Sequence, residues 1–200
     1  METLLNKGYL KILSIFYNDK SARIHLRELA RKAKLNENSA SRFLKNLEKN
    51  KILLVKKDGN LKKYELMRND IVYSILAHLD IVRLNSLPSI RKNAILYFLE
   101  ELKEKPIIAF LFGSTAKNTY SEQSDIDLLL IVNKKINTKE AENYVDSQTS
   151  LRISCVQITF DEFKEELKLK NDKVIQSAIN TGYPFSNHIE YYRMIYYERI

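Results

Sequence analysis

The sequence contains little of what builds disulfide frameworks, zinc clusters or membrane spans. Cys155 is the single cysteine among 200 residues, which excludes an intrachain disulfide and a multi-cysteine zinc site. It lies in an apolar run, so we expect a buried thiol. The longest apolar stretches, Ile107–Phe112 and Ile126–Val132, are far too short to cross a bilayer. Because Met1 is followed by an acid rather than by a basic and apolar leader, we expect a cytoplasmic protein with no membrane partner.

Charge is distributed unevenly along the chain. The net charge is +8, yet residues 1–68 hold 17 Lys or Arg against 7 Asp or Glu, which gives this segment +10 and leaves the remainder slightly acidic. A hydrophobic fraction of 44% excludes a disordered chain but does not distinguish one core from two. The segregation of charge favours two modules, of which the first binds a polyanion. Lysines that serve only solubility are the alternative.

Hydrophobic periodicity near the N-terminus predicts three helices followed by a β-hairpin. Helical spacing covers three segments, and Asn36 is suited to cap the third; the segments are Glu2–Tyr17, Leu26–Ala33 and Ser39–Asn50. Two β-type runs, Ile52–Lys57 and Leu61–Leu66, flank Asp58-Gly59-Asn60, the strongest hairpin signal in the chain. This order resembles the winged helix-turn-helix module of prokaryotic transcription regulators, a match of pattern that covers about residues 1–67.

The second part of the chain alternates between strand and helix patterns. Helices are predicted first over Asp70–Leu84 and Ser89–Glu104, on either side of Pro88. After Pro106 the alternation indicates an α/β or α+β domain; its predicted elements are Ile107–Phe112, Ser114–Thr119, Ile126–Val132, Thr138–Thr149, Leu151–Phe160 and Asp161–Leu169. The tail is predicted to add a helix, a break at Gly182-Tyr183-Pro184 and a tyrosine-rich closing element. The expected domains are 1–68, a helical linker or dimerisation helix at 69–88, and 89–200.

One group of residues in the second part has the pattern of a site for a phosphate and a metal ion. Gly113, one of four glycines, ends an apolar strand and is followed by Ser114 and a predicted helix, whose N-terminus can offer donors to a phosphate. Asp125 and Asp127 open the next strand, and side chains two apart on a strand point to the same face. Two carboxylates at that spacing repel each other unless a cation joins them. Mg²⁺, which prefers oxygen ligands, is the natural candidate.

Gly113-Ser114 followed by Asp125-Ile126-Asp127-Leu128 resembles the signature of the DNA polymerase beta-like nucleotidyltransferase superfamily, especially its minimal members. The resemblance covers about residues 89–200 and implies an α+β fold with a small mixed sheet and flanking helices. It implies that Gly113, Ser114 and Lys117 bind a nucleoside triphosphate, most simply ATP. It also implies that Asp125 and Asp127 bind Mg²⁺ or Mn²⁺ and act in transfer of a nucleoside monophosphate.

The sequence departs from that family pattern at a third carboxylate. Active members usually carry a third acid on the strand predicted at Leu151–Phe160, but this strand has none, and either Ser154 or Gln157 takes its place. Loss of a catalytic base typically costs ~10²- to 10⁴-fold in rate. Asp161 and Glu162 follow the strand and are the alternative source of an acid, although a role in capping the next helix is favoured. Whether the domain is an active enzyme is therefore left open.

The predicted third helix and hairpin of the N-terminal module present a basic surface. Arginine suits guanine edges and lysine suits phosphates; the candidate DNA-binding residues are Asn38, Ser41, Arg42, Lys45, Lys49, Lys57 and Lys62. A winged helix that binds protein instead is the alternative.

Taken together, the patterns favour a DNA-binding transcriptional regulator whose second domain binds nucleotide and Mg²⁺ with weak or lost transfer activity. The rival hypothesis is an active enzyme that modifies either a protein or a small-molecule hydroxyl. A protein acceptor would correspond to the toxin partner that antitoxin-like relatives modify. A purely structural use of both domains is the third. Because winged-helix operators are usually palindromic, a homodimer on double-stranded DNA is expected, with Asp70–Leu84 as a candidate interface.

Overall fold

The computed structural model describes residues 7–198, with side chains up to residue 196. These residues divide between two compact units, whose boundary falls between Leu79 and Asp80. Residues 2–6 of the predicted first helix, and the last two residues of the predicted tail, lie outside the described range. None of the helices within that range is long and apolar enough to span a bilayer.

The first unit combines helices with a three-stranded antiparallel sheet. Its elements are α1 (Lys7–Asn18), β1 (Ile24–His25), α2 (Leu26–Ala33), α3 (Glu37–Lys49), β2 (Leu53–Asp58) and β3 (Leu61–Leu66), with strand order β1-β3-β2. The apolar stripes that predicted the helices form its core, where the rings of Tyr9 and Phe43 meet edge to face with centroids 4.7 Å apart. Asn36 caps α3 as predicted, since its side chain accepts a hydrogen bond from the Ser39 backbone N–H at 2.8 Å.

The second unit is an α+β domain, which confirms the predicted mixed fold class. A helix that begins in the first unit, α4 (Asp70–Asn85), leads into α5 (Ser89–Glu101). The remaining elements are β4 (Ile108–Phe112), α6 (Gly113–Lys117), β5 (Ile126–Val132), α7 (Lys139–Thr149), β6 (Ile153–Thr159), α8 (Phe160–Leu169), α9 (Lys173–Thr181), β7 (Tyr183–Ser186) and α10 (His188–Glu198).

The sheet of the second unit is mixed and has the order β6-β5-β4-β7. β4 pairs antiparallel with β5 and β7, whereas β5 and β6 are parallel. One face carries Leu111, Leu128 and Leu130 and forms a core with Ala94 and Phe98 of α5 and with residues of α7. On the other face, Phe110 contacts Phe163 of α8 and Tyr191 of α10.

Most predicted elements of this unit agree with the structure to within two residues at each end, and two differ by more than that or in kind. α5 ends at Glu101 rather than Glu104, because Lys105 Nζ donates to the carbonyls of Leu99 and Glu100 and so satisfies the end of the helix. The predicted break at Gly182-Tyr183-Pro184 lies at the start of β7, a strand that sequence reasoning missed.

Candidate active site

Gly113 lies where β4 passes into α6, and its geometry requires glycine. Its φ of +68° is in the left-handed region, which other residues rarely adopt. A Cβ at this position would lie 1.9 Å from Oδ2 of Asp127 and 2.8 Å from its Cγ. The carboxylate of Asp127 therefore occupies the space that a side chain would need, and the two sequence motifs meet at this contact.

Asp127 lies at the second position of β5, and Asp125 directly precedes this strand. Asp127 is half-buried and pairs with Phe112 across the antiparallel ladder, while Asp125 is exposed. Burial raises the pKa of the Asp127 carboxyl, and the negative charge of Asp125 raises it further. The pair is thus electrostatically unfavourable by itself, a condition that a shared cation would relieve.

The neighbouring strand β6 decides which residue takes the place of a third acid. Ser154 is the register partner of Asp127 in the parallel β5–β6 pair, and it is exposed. Gln157 pairs with Leu130 on the opposite face, where its amide bonds both the backbone N–H and the carbonyl of Ile136, each at 2.9 Å. Ser154 is therefore the residue beside the aspartates, and Gln157 has a structural role.

Asp161 and Glu162 do not contribute a carboxylate to this site. They follow the far end of β6, whose last residue, Thr159, lies five residues beyond the Asp127 register position at Ser154, or roughly 17 Å along the strand. Glu162 forms a capping box with Thr159, accepting from its hydroxyl at 2.7 Å, and these hydrogen bonds lower the pKa of Glu162. The hypothesis that these acids reach inward is wrong. Among residues 7–198, no group of three or more His, Cys, Asp or Glu side chains could hold a metal ion.

The remaining predicted nucleotide ligands lie on α6. Ser114 is partly exposed, and Lys117 is exposed at the last position of the helix. Asn118 ends the helix with a φ of +57°, a backbone conformation that asparagine tolerates. Cys155, predicted as a buried thiol, is partly buried on β6, and burial raises its pKa to about 12.

Sequence reasoning missed a buried arginine next to these motifs. Arg91 of α5 is 3% exposed, and its Nη1 donates to Thr115 Oγ1 of α6 at 3.0 Å. Its Nη2 donates to the carbonyls of Ser121 and Ser124 at 2.8 and 3.1 Å. The helical spacing could have indicated its burial, because Arg91 falls on the same stripe of α5 as the buried Ala94, Ile95 and Phe98.

The predicted DNA-binding residues of the first unit lie at its surface. Asn38, Arg42, Lys45 and Lys49 are exposed along α3, and Ser41 is partly exposed. At the β2–β3 hairpin, Lys57 and Lys62 are exposed register partners. Neither has an acidic partner within ion-pair distance among the described residues.

The lysines that flank this pair are engaged within the hairpin. Lys56 pairs with Glu65 at 2.6 Å, and Lys63 pairs with Asp58. Like charges directly across a ladder are unfavourable. Lys57 and Lys62 therefore form a local positive site that intramolecular pairing does not neutralise.

Comparison with known proteins supports the chemistry indicated by the second unit. Residues 93–181 match the family model described as a nucleotidyltransferase domain. This match spans less than half of the chain; it begins within α5, ends with α9 and includes Gly113, both aspartates and Ser154. No curated protein matches the sequence.

One similar solved structure is titled "Crystal structure of the toxin-antitoxin with AMP-PNP". The two chains are 19% identical, and the similarity covers 54% of this chain and 86% of that chain with a TM-score of 0.37, too low to bear on function. Residues 93–181 therefore resemble a nucleotidyltransferase domain, and this match supports a nucleotidyltransferase-like function for this part of the chain.

Proposed function

We propose that the second unit binds a nucleoside triphosphate together with Mg²⁺ or Mn²⁺ at Gly113, Ser114, Asp125 and Asp127. The observation that carries this proposal is the contact between the Gly113 backbone and the Asp127 carboxylate. It brings the start of α6, a suitable place for phosphate oxygens, next to a pair of carboxylates with unfavourable mutual repulsion. ATP is the simplest candidate nucleotide.

The residues present fit a divalent cation shared with the nucleotide. Asp125 and Asp127 supply carboxylate oxygens, and Mg²⁺ commonly binds through one or two carboxylates plus substrate phosphates. When bound, the cation would neutralise phosphate charge and polarise a phosphoryl oxygen. Ser114 offers a hydroxyl to the phosphates, and the exposed Lys117 offers a positive charge at the other end of α6.

The same site favours weak or lost transfer. The position beside Asp127 on β6 is Ser154, whose hydroxyl cannot serve as a general base at neutral pH. Nucleotide and metal binding requires only the two aspartates and α6, whereas transfer also requires deprotonation of an acceptor hydroxyl. An active enzyme that modifies a protein, such as a toxin partner, or a small-molecule hydroxyl is the second candidate, and the nucleotidyltransferase family match favours it.

We further propose that the first unit is a winged helix that binds double-stranded DNA. Exposed polar and basic residues follow one face of α3, and Lys57 and Lys62 place an uncompensated positive site on the hairpin. The protein is then a transcriptional regulator that senses nucleotide through its second unit. A homodimer through α4 would match a palindromic operator.

Calorimetry tests the nucleotide site. ATP, GTP, CTP and UTP are titrated with Mg²⁺ into the wild type, the Asp125→Asn/Asp127→Asn variant and an Asp161→Asn control, whose exposed acid lies beyond the far end of β6. We expect binding of at least one nucleotide in the wild type and the control, and its loss in the double variant. Lack of binding by the wild type, or unchanged binding by the double variant, would overturn the proposal.

A transfer assay with labelled nucleotide separates the two candidate functions. Incubation with each nucleotide that binds, with the protein itself and with cell extract as acceptors, should give little or no metal-dependent labelling if the domain is a sensor. Robust labelling that depends on Asp125 and Asp127 would establish the enzyme instead.

Salt-dependent DNA binding tests the first unit. Affinity for a mixed-sequence duplex is measured over a range of salt concentrations for Lys57→Gln/Lys62→Gln and for the matched Lys56→Gln/Lys63→Gln pair. Each lysine that contacts a phosphate should reduce the salt slope by about 1 when removed. We expect that reduction mainly in the first pair, because Lys56 and Lys63 are held in ion pairs. Equal effects of the two pairs would contradict the assignment of the phosphate contacts to Lys57 and Lys62, and no binding by the wild type would contradict the DNA-binding proposal.

A further inference from the structure

A single guanidinium joins the two motif-bearing segments of the candidate site. Arg91 donates to Thr115 Oγ1 of α6 at 3.0 Å, and to the carbonyls of Ser121 and Ser124 at 2.8 and 3.1 Å. Ser124 directly precedes Asp125, so the second set of bonds ends one residue from a proposed metal ligand. Arg91 therefore bridges α6 to the segment from Thr119 to Asp125, which we call the motif loop.

The surroundings of Arg91 fix the orientation of its side chain. Arg91 is 3% exposed and its partner Thr115 is fully buried. The guanidinium carbon lies 4.0 Å from the ring centroid of Tyr120, a cation–π contact within the motif loop itself. The helix that carries Arg91 is anchored by Ala94, Ile95 and Phe98 in the core. The loop is thus fastened to a rigid element at Tyr120, Ser121 and Ser124.

Arginine is the side chain suited to this task. Its planar fork holds five donors in fixed directions, so it can reach a hydroxyl and separate carbonyls at once, whereas lysine donates from a single point. Among residues 7–196, no carboxylate lies within ion-pair distance of Arg91. Its buried charge is stabilised instead by oxygens of α6 and of the loop. Without Arg91 both loop carbonyls would lose a charged hydrogen-bond donor, and the Ser121 carbonyl would keep the Ser124 backbone N–H.

We propose that Arg91 is a positioning residue that orders the motif loop and thereby sets Asp125 relative to Asp127 and α6. The ordering of the loop is a property of the fold, and its consequence for nucleotide binding rests on the function proposed above. Residues that orient metal ligands typically change metal affinity by 10- to 100-fold when replaced, so an effect of about that size is expected on Mg²⁺-dependent nucleotide affinity.

The chain offers a spectroscopic reporter and a matched control for this proposal. It contains no tryptophan, so Tyr120→Trp introduces a single indole into the motif loop next to Arg91. Arg83 serves as the control, because its Nη2 donates to the carbonyls of Ala116 and Thr181, and its guanidinium carbon lies 4.4 Å from the Tyr183 ring centroid. It thus makes the same kinds of contact as Arg91, but at the end of α6 and near β7.

The experiment compares Arg91→Ala, Arg91→Lys and Arg83→Ala in the Tyr120→Trp background of the full chain. We expect both Arg91 variants to increase acrylamide quenching of the indole and to shift its emission to longer wavelength. Arg83→Ala should lower thermal stability with little change in either signal. Lysine would retain the charge and most of the packing. A change of both fluorescence signals in Arg91→Lys would therefore identify the forked hydrogen bonds as the cause. This variant also tests the proposal if Arg91→Ala fails to fold.

Two outcomes overturn the positioning role. One is unchanged indole fluorescence in Arg91→Lys; the other is an equal change in Arg83→Ala, which would indicate general loosening of the unit. Calorimetry with ATP and Mg²⁺ on the same proteins then tests the functional consequence. If the parent protein binds no nucleotide, the proposed function fails, while the fluorescence result still decides whether Arg91 orders the loop.

Discussion

At the scale of single residues, the candidate site depends on a close backbone approach and on one register position. Gly113 leaves room for the carboxylate of Asp127, and Ser154 lies beside the same aspartate on β6. The first feature brings the proposed phosphate-binding and metal-binding groups together, and the second limits the proposed transfer chemistry. Each can be altered by one substitution.

Gly113→Ala should be more disruptive than the same substitution at a left-handed glycine elsewhere in the chain. The new Cβ would overlap Oδ2 of Asp127, and the φ of +68° adds backbone strain. Gly59→Ala is the matched control, because its φ is +58° and nothing lies within 4 Å of the added atom. We expect the control to cost about 1–2 kcal/mol from backbone strain, and Gly113→Ala to cost about 1–3 kcal/mol more from overpacking.

Thermal unfolding and nucleotide calorimetry check this comparison. Gly113→Ala should also abolish Mg²⁺-dependent nucleotide binding, because Asp127 must move to accommodate the methyl group, while Gly59→Ala leaves binding unchanged. Equal stability losses in the two variants, with binding retained in both, would contradict the contact between Gly113 and Asp127.

Ser154→Asp should increase transfer, because it supplies a carboxylate at the position beside Asp127. A correctly placed general base typically contributes ~10²- to 10⁴-fold in rate. Without metal, the third negative charge should lower the melting temperature, and Mg²⁺ with nucleotide should restore it. Ser154→Asn is the control of similar shape without the charge. A labelled-nucleotide assay that finds the two variants equally inactive would argue against Ser154 as the limiting residue.

At the scale of secondary-structure elements, local sequence signals specify most of the fold. Asn36 was predicted as a cap and caps α3, and Leu26–Ala33, Leu61–Leu66 and Ile126–Val132 have the predicted bounds. β7 was missed because it has four residues and its pairing with β4 joins positions more than 70 residues apart. The close packing of Gly182, where a Cβ would lie 2.5 Å from the Leu111 carbonyl oxygen, is equally invisible in the sequence.

Asn36→Ala should destabilise the first unit by about 1 kcal/mol, the usual cost of removing an N-cap. The side chain of Asn36 accepts from the Ser39 N–H, and alanine would leave that donor without its cap. Asn38→Ala, at an exposed position of the same first turn, is the control and should be neutral in stability. Urea unfolding followed by circular dichroism measures both, and equal midpoints would contradict the capping role.

The same pair of variants separates stability from DNA contact. Asn38 is a candidate DNA-binding residue, so Asn38→Ala should weaken binding to DNA while it leaves unfolding unchanged. Asn36→Ala should instead lower stability more than it weakens binding to DNA.

At the scale of the whole molecule, the two compact units differ in charge as well as in architecture. The positive excess belongs to residues 1–68, whereas the nucleotidyltransferase match lies within the second unit. The proposed division of labour, DNA binding by one unit and nucleotide binding by the other, follows this segregation. We expect a further contribution to stability from the half-buried imidazole of His188 at the start of α10.

The stability of the protein should fall as the pH is lowered through the titration range of His188. Burial lowers the pKa of this imidazole below its ordinary value of 6.5, and its Nε2 has no hydrogen-bond partner among the described residues. The unfolded chain therefore takes up a proton more readily than the folded one. The stabilisation from the neutral imidazole is fully present above pH 6.5 and is lost as the pH falls through the depressed folded-state pKa.

Melting temperatures of the wild type and His188→Gln test this dependence between about pH 8 and about pH 5, the range in which imidazoles titrate. We expect the wild type to lose on the order of one or two degrees more than the variant over that range. Parallel pH profiles would show that His188 does not contribute.

The sequence by itself determined the features that depend on neighbours along the chain. Helical and strand periods, the Asn36 cap, the hairpin turn and the spacing of Gly113, Asp125 and Asp127 are all local patterns, because side-chain direction follows directly from backbone period. Residues 93–181 match a nucleotidyltransferase domain, which agrees with the family resemblance that this spacing carries.

Only the tertiary structure decided what depends on pairing between distant segments. Strand register chose Ser154 over Gln157 and placed Asp161 and Glu162 at the far end of β6. Helix packing buried Arg91 against α6 and the motif loop, a contact across 24 residues to Thr115 that no local pattern encodes. The physical reason is the same in each case: a one-residue change in register, or a small shift of a packed helix, changes which side chains meet without altering any local propensity.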